Sequence, residues 1–208
     1  MNNKERADQL AQEMVANLNY NVLKQAAEDE KHNLLSLLFK ALAFSAEKHS
    51  KQRRKDIDRS PYINHPIALA NTLSKRLIID ENVLCAAILH DTIEDTETTV
   101  EELRENFGEK ITSIVLEVTD DKSLEKSVRK EKQIEHAASI SHEAKLVKLA
   151  DKISNLTDIL NSPPTDWSEE RKKEYFLWAK AVVDNLRGAH QGLEKDFDDL
   201  FNKAKVLF

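Results

Sequence analysis

Residues 143–160, EAKLVKLADKISNLTDIL, set Leu146, Leu149, Ile153, Leu156 and Leu160 three or four positions apart. That spacing is the period of an α-helix, and it gathers the five side chains into one apolar stripe that must be buried against neighbouring elements. The rest of the chain supplies helices as those neighbours. Its 208 residues include only three glycines and four prolines, and abundant Leu, Ala, Glu and Lys favour long helices over short strands joined by turns. Periodicity predicts a modest amphipathic helix over 4–18, an apolar-faced one over 31–49, and further helices over 66–77, 81–92, 100–107, 110–120, 143–160 and 169–188, with a last one at the C-terminus. Pro66 suits a first turn, and Asp80 suits an N-cap. Thr98 with Glu101, and Asp166 with Glu169, have capping-box spacing, and Gly108 is placed to end a helix. The segment 50–64, SKQRRKDIDRSPYIN, reads as a loop. The fold class expected is all-α, with one domain over 31–208 and a helical extension over 1–30.

The same sequence narrows the function. A net charge of −6 argues against general nucleic-acid binding. No apolar run is long enough to span a bilayer, and the N-terminus lacks the apolar core of a signal peptide. Cys85 is alone, so it reads as a buried structural thiol with no partner for a disulfide within the chain. A cytoplasmic protein is the expectation.

The chemistry concentrates where an apolar run ends. In AAILHDTIEDT, residues 86–96, helical spacing aligns His90 with Glu94, and Asp91 with Glu94 and Asp95. Carboxylates so close repel one another and are costly to bury, so this helix end either emerges into water or meets a cation. Asp151 interrupts the stripe of 143–160 beside its apolar face, with Asn155 one turn later. Pairing with Lys148 or Lys152 is one reading of Asp151, and a ligand role is the other. His65 lies in PYINHP, where the chain turns into a helix. Together His65, His90, Asp91 and Asp151 offer two imidazoles, two carboxylates and no thiolate. That set suits a manganese or iron ion with open positions better than a closed zinc site. Just upstream, KHSKQRRK gathers Lys48, Lys51, Arg53, Arg54 and Lys55, a basic loop able to attract an anionic substrate. His49 reads as structural. His32, His136, His142 and His190 read as solvated, as does the charged run 122–132 apart from Lys126.

The series H…HD…D resembles the signature of the HD-domain metal-dependent phosphohydrolases. QRRKDIDRSPYINHP, AAILHDTIEDT, FGEKI, VTDDKSLEK and AKLVKLADKISNL resemble, in order and spacing, the RelA/SpoT-type alarmone hydrolases, above all the small stand-alone group known as metazoan SpoT homologues. The resemblance covers roughly residues 35 to 200. It implies an all-α HD-domain bundle that hydrolyses the 3′-pyrophosphate of ppGpp or pppGpp. It implies a manganese ion, or another divalent transition metal, on His65, His90, Asp91 and Asp151. It further implies Glu94 and Asp95 as the catalytic pair, and Arg54, Lys55, Lys126, Asn155 and Tyr175 as nucleotide-binding residues. It leaves no room for a synthetase domain, which implies a degradative enzyme. The loop KDIDRSPY departs from the family in lacking a glycine before the Pro-Tyr pair. Two other readings remain open: an HD phosphohydrolase of another nucleotide such as NADPH, acting as a 2′-phosphatase, and a catalytically silent nucleotide sensor. The oligomeric state is not legible in the sequence.

Overall fold

The computed structural model describes residues 3–205, with side chains at 17–29 and 31–205. In chain order the helices are α1 (Asn3–Lys48), α2 (Asn64–Lys75), α3 (Glu81–Leu89), α4 (Thr92–Asp95), α5 (Val100–Val118), α6 (Lys126–His136), α7 (His142–Asn161), α8 (Glu169–Asp184) and α9 (Gln191–Lys205). No strand occurs among the described residues, which bears out the all-α expectation; an isolated bridge joins Arg53 to Pro61.

Two compact units divide the chain, Met1–Phe39 and Lys40–Phe208. The first is helical from Asn3, and its Leu18, Tyr20, Val22 and Leu23 are exposed. The amphipathic face expected over 4–18 falls, for residues 4–16, outside the described side chains.

In the second unit α7 is the central helix, packed by α2, α3, α5, α8 and α9. Leu146, Leu149, Ile153 and Leu156 are buried as the stripe requires, whereas Ile159 rather than Leu160 is the last buried apolar residue. Lys148 and Lys152 are buried too. With neighbours on so many sides, the polar face of α7 turns towards internal cavities instead of bulk water. α3 is likewise covered all round, with Val83 through Leu89 buried. Asp80 starts it by accepting hydrogen bonds from the Asn82 and Val83 amides at 2.8 and 3.1 Å, as its sequence position predicts.

Several local expectations need correction. The helix predicted over 81–92 stops at Leu89, because Asp91 takes φ −97° and ψ 0° and a separate turn, α4, begins at Thr92. Thr99 caps α5 through the Glu102 amide, in place of Thr98, which is buried with its hydroxyl bonded to Thr96. Ser168 caps α8 through the Arg171 amide, in place of Asp166. The charged run 122–132 is largely the helix α6, one face of which lines cavities. His190 is half-buried and accepts from the Leu193 amide at the start of α9, so it is not simply solvated. The loop 50–64 is a loop, and Arg59 takes a left-handed conformation (φ 49°) before the Pro61–Tyr62 pair, without the glycine that the resemblance led us to look for.

Gly108 breaks α5 into two segments. Its φ of 79° and ψ of 172° lie in a region almost confined to glycine, although a Cβ there would meet no atom within 4 Å. Gly108→Ala is therefore expected to cost about 1–3 kcal/mol through backbone strain alone. A lower urea midpoint at unchanged m-value checks this; an unaltered midpoint would show that the bend does not depend on glycine.

Candidate active site

Three helical segments bring the four expected ligands together. His65 comes from the first turn of α2, His90 and Asp91 from the junction of α3 and α4, and Asp151 from α7. His65 and His90 are buried. His65, His90 and Asp151 each offer a ligand atom, and these atoms all lie within 4.8 Å of one another. The His65 Nε2 atom is 3.3 Å from Asp151 Oδ1 and 3.9 Å from Asp91 Oδ2, and His90 Nε2 is 2.9 Å from Asp91 Oδ2. These residues line a cavity of about 180 Å³.

Hydrogen bonds orient the imidazoles. His90 Nδ1 lies 2.9 Å from the Ala87 carbonyl, to which it donates, so Nε2 faces the carboxylates. There it is buried, with Asp91 Oδ2 at 2.9 Å. His65 Nδ1 faces the Ser154 hydroxyl at 3.4 Å. Asp151 is held at both oxygens: Lys152 donates to Oδ2 (2.9 Å) and Asn155 to Oδ1 (2.6 Å). The pairing with Lys152 therefore forms, and Asp151 also offers an oxygen beside His65 and His90. Burial opposes charge on His90, but Asp91 and Asp151 push it up to about 9. Burial likewise opposes ionisation of Asp91, and the facing His90 and His65 nevertheless hold it below the usual carboxylate range. Imidazole nitrogens facing carboxylate oxygens are the donor set of a divalent cation, and the residues fit one.

Glu94 and Asp95 both sit on α4, yet they face different compartments. Glu94 lines the ligand cavity; its Oε2 accepts from the Asp120 amide at 3.0 Å, and Arg129 is 3.7 Å from Oε1. Burial, with Asp120, Asp91 and Asp95 nearby, pushes the Glu94 carboxyl up to about 7 against the bond from the Asp120 amide. Asp95 lines an adjoining cavity and is paired with Lys122. Tyr62 lies between them, donating to Asp91 Oδ2 at 2.5 Å, with Asp95 Oδ2 3.5 Å away. A cation beside Glu94 favours its charged form, so divalent metal is expected to lower its midpoint from about 7 by about one to three pH units. Carboxyl-carbon NMR titration with and without metal reads this directly; an unmoved midpoint would place the ion away from Glu94.

The adjoining cavity, about 510 Å³, is lined by Arg54, Lys55, Asn155 and Tyr175. Arg54 and Asn155 also border the ligand cavity, and Arg54 is anchored by Asp158. Lys126 is elsewhere, in a third cavity of about 460 Å³, with Arg129, Lys130, Arg171 and the rings of Trp167, Tyr175 and Trp178. Trp167 and Tyr175 border both of these larger cavities. Burial, then the charges of Arg171, Lys130, Lys55 and Arg129, lower the Lys126 ammonium's pKa. Arg129 Nε and Trp167 Nε1 are buried donors without acceptors.

The sequence reading missed Tyr62, Asp120, Arg129, Lys130, Gln133, Trp167, Arg171 and Trp178. One signal was available: Lys126, Arg129, Lys130 and Gln133 stand at i, i+3, i+4 and i+7, one face of α6.

Comparison with known proteins identifies the family. The HD domain family profile matches residues 41–180. Guanosine-3′,5′-bis(diphosphate) 3′-pyrophosphohydrolase MESH1 of Drosophila melanogaster is 50% identical over 167 residues, 80% of this chain and 93% of its own. The protein of the same name from Xenopus tropicalis is 53% identical over the same shares. A solved structure of a metazoan ortholog of SpoT, described as hydrolysing ppGpp, is similar with a TM-score of 0.78 at 49% identity, over 80% of this chain and 94% of that one. The profile spans most of the chain, so the chain belongs to the HD domain family.

Proposed function

We propose that this chain hydrolyses the 3′-pyrophosphate of guanosine 3′,5′-bis(diphosphate), releasing pyrophosphate and leaving GDP from ppGpp or GTP from pppGpp. The observation that carries this reading is the continuity of the ligand cluster with two cavities lined by cations and aromatic rings, sized for a nucleotide bearing phosphates at both ends. The activity is the one named for relatives that share half of their aligned residues with the chain. His65, His90, Asp91 and Asp151 hold a divalent ion in this reading, manganese, which would acidify a bound water and offset phosphate charge.

The protein's own groups do the rest. With Oε2 tied to the Asp120 amide, Glu94 has Oε1 left to take the proton of the attacking water, and the lowering of its midpoint by the ion leaves the carboxylate ionised for that task at neutral pH. Asp95, within reach of the Tyr62 hydroxyl, flanks the same water from the second cavity. Arg54 and Lys55 meet the phosphates nearest the cleaved bond, Tyr175 and Asn155 border the nucleoside, and Lys126 with Arg129, Lys130 and Arg171 meets the remaining phosphates. The residues so used run from Arg54 to Tyr175, and 1–30 is an extension outside the chemistry. The reading places the enzyme in the cytoplasm; no helix among the described residues is long and apolar enough to cross a membrane.

The test is metal-dependent turnover of ppGpp by the purified protein, with NADPH and dGTP in parallel. Manganese-dependent release of pyrophosphate and GDP is expected. Turnover of NADPH or dGTP alone would keep the site and discard the substrate. Binding of ppGpp without turnover of any of them would make the protein a sensor.

A further inference from the structure

Gln133, on the cavity-facing side of α6, uses both ends of its amide. Its Oε1 accepts from Lys152 Nζ at 3.1 Å, and its Nε2 donates to Asp120 Oδ2 at 2.6 Å. An ammonium only donates and a carboxylate only accepts, so this orientation of the amide is dictated by its neighbours. Each neighbour then reaches the site. Lys152 donates to Asp151 Oδ2 at 2.9 Å, and the Asp120 amide donates to Glu94 Oε2 at 3.0 Å. Four hydrogen bonds thus run from Asp151 through Lys152, Gln133 and Asp120 to Glu94.

These links are well anchored. Lys152 is buried, with its ammonium over the Trp178 ring at 4.4 Å, and the Trp178 indole N–H donates to the Lys130 carbonyl at 3.0 Å. Gln133 and Asp120 line both the ligand cavity and the basic cavity, so the pair is a wall common to the two. The same face of α6 carries Lys126, Arg129 and Lys130.

We infer that Gln133 is a positioning residue that sets Asp151 and Glu94 relative to each other and to the cation-bearing face of α6. The Asp151 arm stands on geometry alone; the Glu94 arm rests on the hydrolase reading above. A glutamine is the side chain suited to the place because it serves a donor on one side and an acceptor on the other. Gln133→Leu removes both bonds. Gln133→Glu keeps an acceptor for Lys152 but turns a second carboxylate towards Asp120.

The two variants separate the arms. With Gln133→Leu, manganese affinity measured by calorimetry without substrate is expected to weaken by about tenfold, and kcat to fall by about 10- to 100-fold, the range for groups that orient metal ligands. With Gln133→Glu, manganese affinity is expected to stay near that of the wild type while kcat falls by about as much as in Gln133→Leu. Wild-type affinity and kcat in both variants would overturn the inference. Equal losses of affinity in both, in step with a common drop in melting temperature, would also overturn it, by reducing Gln133 to packing. If the wild type cleaves a phosphoester other than ppGpp, the substrate proposal fails alone, and kcat on that phosphoester with the manganese titration still decides the role of Gln133. A wild type that neither binds manganese nor turns over any phosphoester would overturn both.

Discussion

Replacing Glu94 by glutamine and Asp95 by asparagine together is expected to lower kcat for ppGpp by about 10²- to 10⁴-fold, the span of general acid–base catalysis, without loss of the fold. Both changes are nearly isosteric, so the shape of α4 is preserved. The side-chain amide of Glu94→Gln would still offer an oxygen to the Asp120 amide, the one backbone bond that Glu94 accepts at 3.0 Å. What disappears is the carboxylate that takes a proton. Stability gives the prediction its control. Burial raises Glu94 to about 7 from an ordinary 4.5, so in the metal-free protein its ionised form opposes folding. The folded state therefore binds more protons between those two values, and stability falls as pH rises through that window. Glu94→Gln removes this liability, so above pH 7 the metal-free single variant is expected to melt at or above the wild-type temperature. Asp95 sits in a different balance, paired with Lys122, so the single Asp95→Asn variant is expected to show no such gain. A double variant that retains wild-type kcat would remove both residues from the chemistry. One that loses kcat only together with its melting transition would leave them a structural role.

Much of this arrangement is legible in the sequence because it is local. The helical period of 143–160, the all-apolar run before His90 and the Asp80 cap are each specified by neighbours in the chain, and each forms. The cluster is legible because His90–Asp91 and the distant Asp151 are of unusual type for their apolar surroundings. What the sequence conceals depends on register or on long-range meeting. The apolar run gives no sign that the chain bends at Asp91, a bend that turns Glu94 and Asp95 into separate cavities. Thr98 and Thr99 are equally good caps on paper; the pairing of Thr98 with Thr96 leaves Thr99 to do it. The lysines of α7 look solvated by type, yet Lys152 is buried because it neutralises Asp151 while lying against Trp178 of α8, a helix whose packing no local pattern announces. Arg129 and Gln133 are hidden for a similar reason. A polar helix resembles a solvated one until the cavity beside it is known.

The second large effect concerns His90, and it turns on what neutralises the site. In the metal-free protein Asp91 and Asp151 push the buried imidazole up to about 9, so at neutral pH a proton on His90 stands where a cation would be expected. The sign follows from the raised value. The stabilisation from that proton is complete below the ordinary 6.5 and is lost as pH rises through about 9. A metal ion must displace the proton, so between about pH 7 and 9 affinity for a divalent cation is expected to rise about tenfold per pH unit with one proton released per ion, and below about pH 7 Glu94 adds to that release. Calorimetry in buffers of different ionisation enthalpy measures that release. His90→Asn removes the imidazole ligand and the proton together. At an ion concentration of about 100 Kd the wild type gains about 2.7 kcal/mol of stability, and the variant is expected to gain none. Its kcat is expected to fall by more than about 10³-fold, since the ion supplies several kcal/mol to the transition state. The variant also leaves Asp91 facing Asp151 without its positive neighbour, so in the metal-free state it is expected to be less stable than the wild type at pH 7 and to approach it above about pH 9. Ion binding without proton release in the wild type, or undiminished binding in His90→Asn, would show that the cation is held elsewhere and that the convergence of His65, His90 and Asp151 serves a proton alone.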